Sequence, residues 1–385
     1  MTLRRYIRPV GRLPVKAAAA GPAFGLAVAG RADLIFAAAE LTEREGEAVR
    51  RRIAAAADLA GGAGEDWAAS LQRLQRPRPP IAGLAMDRPR LMGIVNVTPD
   101  SFSDGGRWLD PGTAVAHGLQ LEAEGADILD IGGESTRPGA EPVASEEEVQ
   151  RVMPVVAALA RQVRVPISID TRNAEVMRRA ADAGARIIND VAALGHDPCA
   201  LRVAAESGLP VVLMHAQGDP RTMQIDPRYD DVVLDVYDWL EARIAACEAA
   251  GIARSRIVVD PGIGFGKTPD HNLALIGSLG ILHGLGCPIL LGASRKSFVG
   301  RLSGGAPAAG RMPGSVAAAL LGAAQGVQVL RVHDVAATRQ ALAVWEAAQD
   351  GARPGPDPGP DPSHRTSRQN TEAGGEGSDP ISDSR

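Results

Sequence analysis

Aromatic residues are scarce in this 385-residue chain, at 3%. So thin a supply leaves little to stack bases along a nucleic-acid groove. Basic charge shows no excess either: 41 Lys and Arg stand against 46 Asp and Glu, a formal net charge of −5. Binding to a phosphate backbone usually needs a basic patch, so no nucleic-acid partner is expected. No uninterrupted apolar run approaches the length that crosses a bilayer, and no membrane partner is expected. Cysteine is limited to Cys199, Cys247 and Cys287, an odd number set far apart. That excludes a disulfide framework and fits a reducing, cytoplasmic setting. No His/Cys cluster has zinc spacing.

Two nucleotide motifs are also missing. Pro261-Gly-Ile-Gly-Phe-Gly-Lys-Thr268 resembles a phosphate loop, but Pro261 stands where the first Gly is needed. A dinucleotide fingerprint fails in the same stretch, because Lys267 occupies its last Gly position. These glycines instead let a loop turn tightly beside a ligand.

What remains is an apolar content of 45%, enough for a full core. From Leu91 to about Ala348, eight β-rich runs alternate with alanine-rich helical stretches. The runs are LMGIVNV, DILDIGG, VPISID, RIIND, PVVLMH, RIVVD, PILLG and QVLRVHD. Such alternation implies βαβ units on a parallel sheet, and eight of them predict a (β/α)8 TIM barrel. An open doubly wound sheet is the weaker reading, since it gives no reason for eight units.

The flanks differ. Residues 1–90 read as a small N-terminal α/β extension, with a helix-like stretch from Glu43 to Ala60 and a linker, RPRPPIAG, before Met86. Its basic start and alanine run also resemble a targeting peptide ending at Ala27-Val28-Ala29, but Gly21-Pro22 breaks the run. Residues 349–385 are rich in Pro, Gly and charge and read as a disordered tail. The barrel itself spans 91–348.

In such barrels the chemistry gathers at the C-terminal ends of the strands. Polar residues recur there: Asn96; Thr136 and Arg137; Asp170; Asn189-Asp190; Met214-His215; Asp260; Ser294, Lys296 and Ser297; Arg331, His333 and Asp334. A single such Asp or Asn is usually a helix cap. That reading is kept for Asp190 and Asp334, while His215 is taken as a packing residue. Arg137, Lys296, Arg331 and His333 suit a phosphate or diphosphate. Asp170, Asn189 and Asp260 would satisfy the N–H groups of a flat heterocycle, and the mouth is expected to be locally positive. A Mg2+ held by Asn96, substrate phosphates and water is compatible with this set.

The segments MGIVNVTPDSFSDGG, DIGGESTRPGA, ISIDTR, IINDVAAL, LMHAQGDPRTMQ, DPGIGFGKTPDHN, GASRKSFVG and RVHDV together resemble the dihydropteroate synthase family. The resemblance covers essentially all of 91–348. It implies a transferase of folate biosynthesis, which joins 4-aminobenzoate to 7,8-dihydropterin-6-ylmethyl diphosphate by dissociative substitution. Carried over by position, it implies a pterin site of Asp170, Asn189, Met214, Asp260 and Lys296. Asn96, Arg137, Arg331 and His333 would take the diphosphate with Mg2+, Asn96 being the residue toward the metal. Thr136, Arg137, Pro138, Phe265 and Ser294 would shape the aminobenzoate pocket, and Asp170, Lys296, Arg331 and His333 would be catalytic. The family implies a homodimer and sensitivity to sulfonamides. A pterin-dependent methyltransferase would have no use for the diphosphate set, and a non-catalytic paralogue is disfavoured by intact Lys296, Arg331 and His333.

Overall fold

The computed structural model describes residues 3–13, 25–60, 67–97, 110–134, 143–218 and 222–350. The expected tail beyond residue 350 and the ligand candidates Thr136, Arg137 and Pro138 lie outside these residues.

All eight expected strands form: β5 Arg90–Asn96, β6 Ile128–Gly132, β7 Ile167–Asp170, β8 Ile187–Asp190, β9 Val211–Met214, β10 Ile257–Asp260, β11 Leu290–Leu291 and β12 Val329–Val332. They are parallel, in the order β10-β9-β8-β7-β6-β5-β12-β11. A parallel bridge from Val259 to Ile289 then joins the two ends, closing the barrel. Val and Ile dominate because each strand is covered on both sides, by helices outside and by the barrel interior within. The connecting helices take the amphipathic stretches, among them Ser145–Leu159 and Ala174–Ala183. The helix after β12 runs from Val335 to Asp350, two residues past the expected boundary at Ala348.

The floor of the barrel is plugged from below. Ile81 and Met86, 1% and 2% exposed, pack with Met92, Ile128, Ile187, Val212, Val258, Leu290 and Val329. Ile81 and Leu84 pair through both their backbone amides at 2.9 Å. The stretch expected to be a linker is therefore part of the barrel's packing.

The extension contains a sheet of antiparallel strands and two short helices. β1 (Arg4–Leu13) and β3 (Arg31–Glu45) pair along most of their length, while β2 (Leu26–Val28) and β4 (Ala48–Ala55) lie on the other side of β3. The basic start and Ala27-Val28 are thus woven into a sheet. The helix expected over Glu43–Ala60 forms only at Ala56–Ala60. Gly46, at φ +61°, opens a two-residue turn, the position where a tight hairpin takes glycine. Alanine and arginine favour helix locally, but pairing with β3 overrides that preference. One face of the sheet carries the extension's own core, with Ile7, Val28, Leu34, Phe36 and Leu41 against Trp67, Leu71 and Leu74.

The other face docks on the barrel. Tyr6 is 1% exposed and meets Tyr237 edge-on at 5.2 Å, its hydroxyl donating to Asp238 at 2.9 Å. Arg78, also buried, donates to the carbonyls of Arg73, Arg76 and His283 at 2.9 Å each. A guanidinium so enclosed must be met by several acceptors to offset its lost hydration.

Candidate active site

The strand register carries polar side chains to one end of the barrel. Asn96 ends β5 opposite Gly132, Asp170 ends β7 opposite Asn189, and Asp260 ends β10 opposite Met214. Gly132 and Gly292 lie beside them: a Cβ on Gly132 would make ordinary contact with Asp170 at 3.5 Å, and one on Gly292 with Asp260 at 3.8 Å.

Arg331 organises this floor. Its Nε donates to Asp130 Oδ2 at 2.6 Å and its Nη2 to Asp170 Oδ2 at 2.7 Å. Asn189 Nδ2 donates to the same Asp130 oxygen at 3.1 Å. Burial pushes Asp170 above the usual carboxylate range; Arg331 works against that and the charge on Asp130 adds to it. Asp260 accepts the Gly262 amide at 2.7 Å, yet burial still pushes its pKa up to about 6. Asp130, Asp170 and Asp260 thus share the floor with the cations Arg331, Lys296 and Lys267. Arg331 is thereby held between two carboxylates of the floor.

Asp130 escaped the sequence reading. It is fully buried within DILDIGG, and its Oδ1 has no hydrogen-bond partner among the described residues. One carboxylate inside an otherwise apolar strand run was the available signal, since that placement is costly unless donors meet it.

Between β11 and the helix Ser297–Leu302, Arg295 adopts a positive φ of +56°, rare for a residue with a Cβ. Its backbone is held by Ser315 Oγ at 2.8 Å and Arg311 Nη1 at 3.0 Å, and its side chain by Asp334. This turn sets Ser294 and Lys296 toward the mouth. Ser294 Oγ accepts the His333 amide at 3.2 Å and lies 2.9 Å from His333 Nδ1. Lys296 Nζ sits 4.0 Å from the centre of the Phe265 ring, a cation–π contact. The structure therefore brings together Asp170, Asn189, Met214, Asp260, Phe265, Ser294, Lys296, Arg331 and His333, with Asn96 across the β5 end.

Two strand-end acids serve the scaffold. Asp190 accepts the amides of Ala192 at 2.7 Å and Leu194 at 2.8 Å. Asp334 holds Arg295, and its carbonyl accepts the Thr338 amide that starts the last helix. His215 packs edge-on to Trp239 at 4.9 Å, and its Nδ1 lies 2.9 Å from Lys267 Nζ. Lys267, 2% exposed, also donates to the carbonyls of Phe265 and His215. Burial holds His215 down to about 3 and Lys267 down to about 7, so the imidazole is the neutral acceptor. Gly262 is obligatory here: φ is +67°, and a Cβ would fall on the His215 carbonyl oxygen. A cavity of about 390 Å³ beside Phe265 is lined by Arg172, His196, Gly218, Met223, Trp239 and Arg243 among others.

Residues 92–333 match the family described as pterin binding enzyme. A dihydropteroate synthase of Neisseria meningitidis serogroup B is 54% identical over 269 residues, covering 69% of this chain and 94% of that protein. The Xanthomonas albilineans dihydropteroate synthase solved with 4-aminobenzoic acid superposes with a TM-score of 0.67 at 54% identity, covering 72% of this chain and 99% of its own. The same enzyme solved with 7,8-dihydropteroate gives a TM-score of 0.65 at 51% identity, covering 72% and 100%. With a closed eight-stranded barrel, a polar floor at its C-terminal end and identity at this level over nearly the whole of these relatives, the chain belongs to the dihydropteroate synthase family of pterin-binding enzymes.

Proposed function

We propose that the barrel mouth condenses 4-aminobenzoate with (7,8-dihydropterin-6-yl)methyl diphosphate, giving 7,8-dihydropteroate and diphosphate. The observation that carries this reading is the convergence of Asp130, Asp170, Asn189, Asp260 and Arg331 on one barrel floor. A flat ring rich in N–H groups would supply the donors these buried acceptors need. Asp170, Asn189 and Asp260 hold the ring's N–H face, Lys296 its acceptor side, and Met214 packs on it. Phe265 and Ser294, with Thr136, Arg137 and Pro138, shape the aminobenzoate pocket. The catalytic unit is assigned to the barrel expected over 91–348, its first strand and last helix reaching Arg90 and Asp350, with the residues before it as an extension and those after it as a tail.

The chemistry follows from charge. Loss of diphosphate leaves a methylene cation that delocalises into the electron-rich dihydropterin, and the aniline nitrogen then attacks it. Asp170, whose ionised form Arg331 favours against burial, stabilises the cation. Arg331, His333 and Arg137 meet the charge growing on the diphosphate. Among the described residues, no group of three or more His, Cys, Asp or Glu is arranged to hold a metal ion. The fit for Mg2+ is therefore through the substrate: Asn96 offers one hard oxygen, and the diphosphate and water the others. When bound, the ion would offset leaving-group charge.

The outer helices leave Leu273, Met312, Leu321 and Val344 exposed, at 40%, 37%, 55% and 68%. Such a run of uncovered apolar side chains supports a homodimer. The three cysteines are free, and no described helix is long and apolar enough to cross a membrane. Both observations support a cytoplasmic enzyme. Equilibrium titration with the pterin diphosphate tests the floor: Asn189→Ala is expected to weaken binding by about tenfold or more, the scale of one lost buried hydrogen-bond set. Unchanged affinity would remove Asn189 from the pterin site.

A further inference from the structure

The extension reaches the catalytic end of the barrel. The hairpin of β3 and β4 lies along the helix Val232–Ala249, whose N-terminus follows the β9 loop. Arg44, 18% exposed, donates to Asp235 Oδ1 at 2.6 Å, and Arg51 pairs with Asp231 Oδ2. Each carboxylate then uses its second oxygen to fix backbone. Asp235 Oδ2 accepts the amides of Asp230 at 3.0 Å and Asp231 at 3.2 Å. Asp231 Oδ1 accepts those of Val233 at 3.1 Å and Leu234 at 3.2 Å, capping the helix.

The residue just before this clamp is Tyr229. Its hydroxyl donates to the Gly266 carbonyl at 2.7 Å, and its ring meets His271 edge-on at 5.0 Å. Gln224, on the same segment, donates to the Gly264 carbonyl at 2.7 Å. Gly264 and Gly266 flank Phe265, whose ring carries Lys296. An unbroken line of contacts thus runs from two arginines of the extension to the loop beside the aminobenzoate pocket. Asp230, Asp231 and Asp235 crowd this helix start, and without the arm their like charges would push the segment apart. The family match begins at residue 92, so both arginines lie outside it.

We propose that Arg44 and Arg51 are positioning residues: the β3–β4 hairpin is an arm that fixes the 262–268 loop, and through Phe265 it sets the affinity for the aromatic amine. The proposal rests on the aminobenzoate pocket assigned above. Its test is the double variant R44A/R51A in the full chain, read in two ways. Amide hydrogen exchange without ligand is expected to quicken several-fold at 229–231 and 262–268 and to stay unchanged along β7. Steady-state kinetics are expected to show the KM for 4-aminobenzoate raised about fivefold, with the KM for the pterin diphosphate within about twofold. R44K/R51K should restore most of both, since Arg44 and Arg51 each give one hydrogen bond to their aspartates and the remaining ion pairs of Arg44 need only a positive charge. Unchanged exchange at 262–268 would overturn the arm, whatever the enzyme turns over. Faster exchange spread evenly over the barrel, or equal rises in both KM values, would reduce the arginines to general stability and also overturn it. Local exchange that quickens while the aminobenzoate KM stays fixed would keep the arm and refute the placement of Phe265 in that pocket.

Discussion

Replacing Asp260 by Asn is expected to stabilise the unliganded protein while destroying its pterin site. Asp260 is 6% exposed, and burial pushes its pKa up to about 6 against the opposing pull of the Gly262 amide, Lys296 and Arg331. In the unfolded chain the same carboxyl titrates near 3.9, a gap of about 2 units at 1.36 kcal/mol each. The ionised group therefore costs the fold about 3 kcal/mol at neutral pH. Asparagine keeps an oxygen for the Gly262 amide and carries no charge. Some of the gain is lost because Lys296, Arg331 and Lys267 give up a counter-charge, leaving about 1–3 kcal/mol. The sign with pH is definite. Between about pH 6 and 4 the folded wild type holds a proton that the unfolded chain releases, so wild-type stability rises as pH falls. Urea denaturation of both proteins from pH 8 to 4.5 should show the variant ahead at pH 7.5 and its lead shrinking below pH 6. Pterin diphosphate affinity should fall at least about 100-fold, as for a lost charge-assisted set. A variant less stable at pH 7.5, or a difference that ignores pH, would refute the reasoning.

Three further outcomes are expected. Arg331→Gln strands Asp130 and Asp170 without their cation and should cost about 3–5 kcal/mol in denaturant unfolding; a loss under about 1 kcal/mol would mean the two acids do not depend on it. Asp170→Ala should lower kcat by about 100-fold or more while the Kd for inorganic diphosphate moves by less than about threefold. Equal losses would deny Asp170 its role beside the cation. Gly262→Ala forces a left-handed backbone on a residue with a Cβ, about 1–2 kcal/mol before the overlap with His215 is relieved. Its melting temperature should drop by several degrees, and a wild-type value would show the loop to be looser than drawn.

The barrel was legible because eight Val- and Ile-rich runs alternate with amphipathic helices at regular spacing, and because the polar residues fall at the strand ends. Asp170, Asn189 and Asp260 could be found that way, since the last one or two residues of a strand are those its register delivers to the mouth. Asp130 could not, because it sits inside its strand and only the closed barrel shows it facing Arg331 and Asn189. Arg331 was legible as a cation but not as one held between two carboxylates, which takes contacts 201 and 161 residues apart in sequence. The β4 strand was hidden for a related reason. Ala-Val-Arg-Arg-Arg-Ile-Ala-Ala has helical composition, and its strand exists through pairing with β3. The arm that Arg44 and Arg51 make toward the barrel lies wholly in such long-range contacts.

The most direct test of the central claim is product formation by the purified full-length chain. Incubated with 4-aminobenzoate, the pterin diphosphate and Mg2+, it should release 7,8-dihydropteroate and diphosphate in equal amounts, with none when either organic substrate is left out. Tight pterin binding without dihydropteroate would contradict the account and leave a pterin-binding protein that does no chemistry.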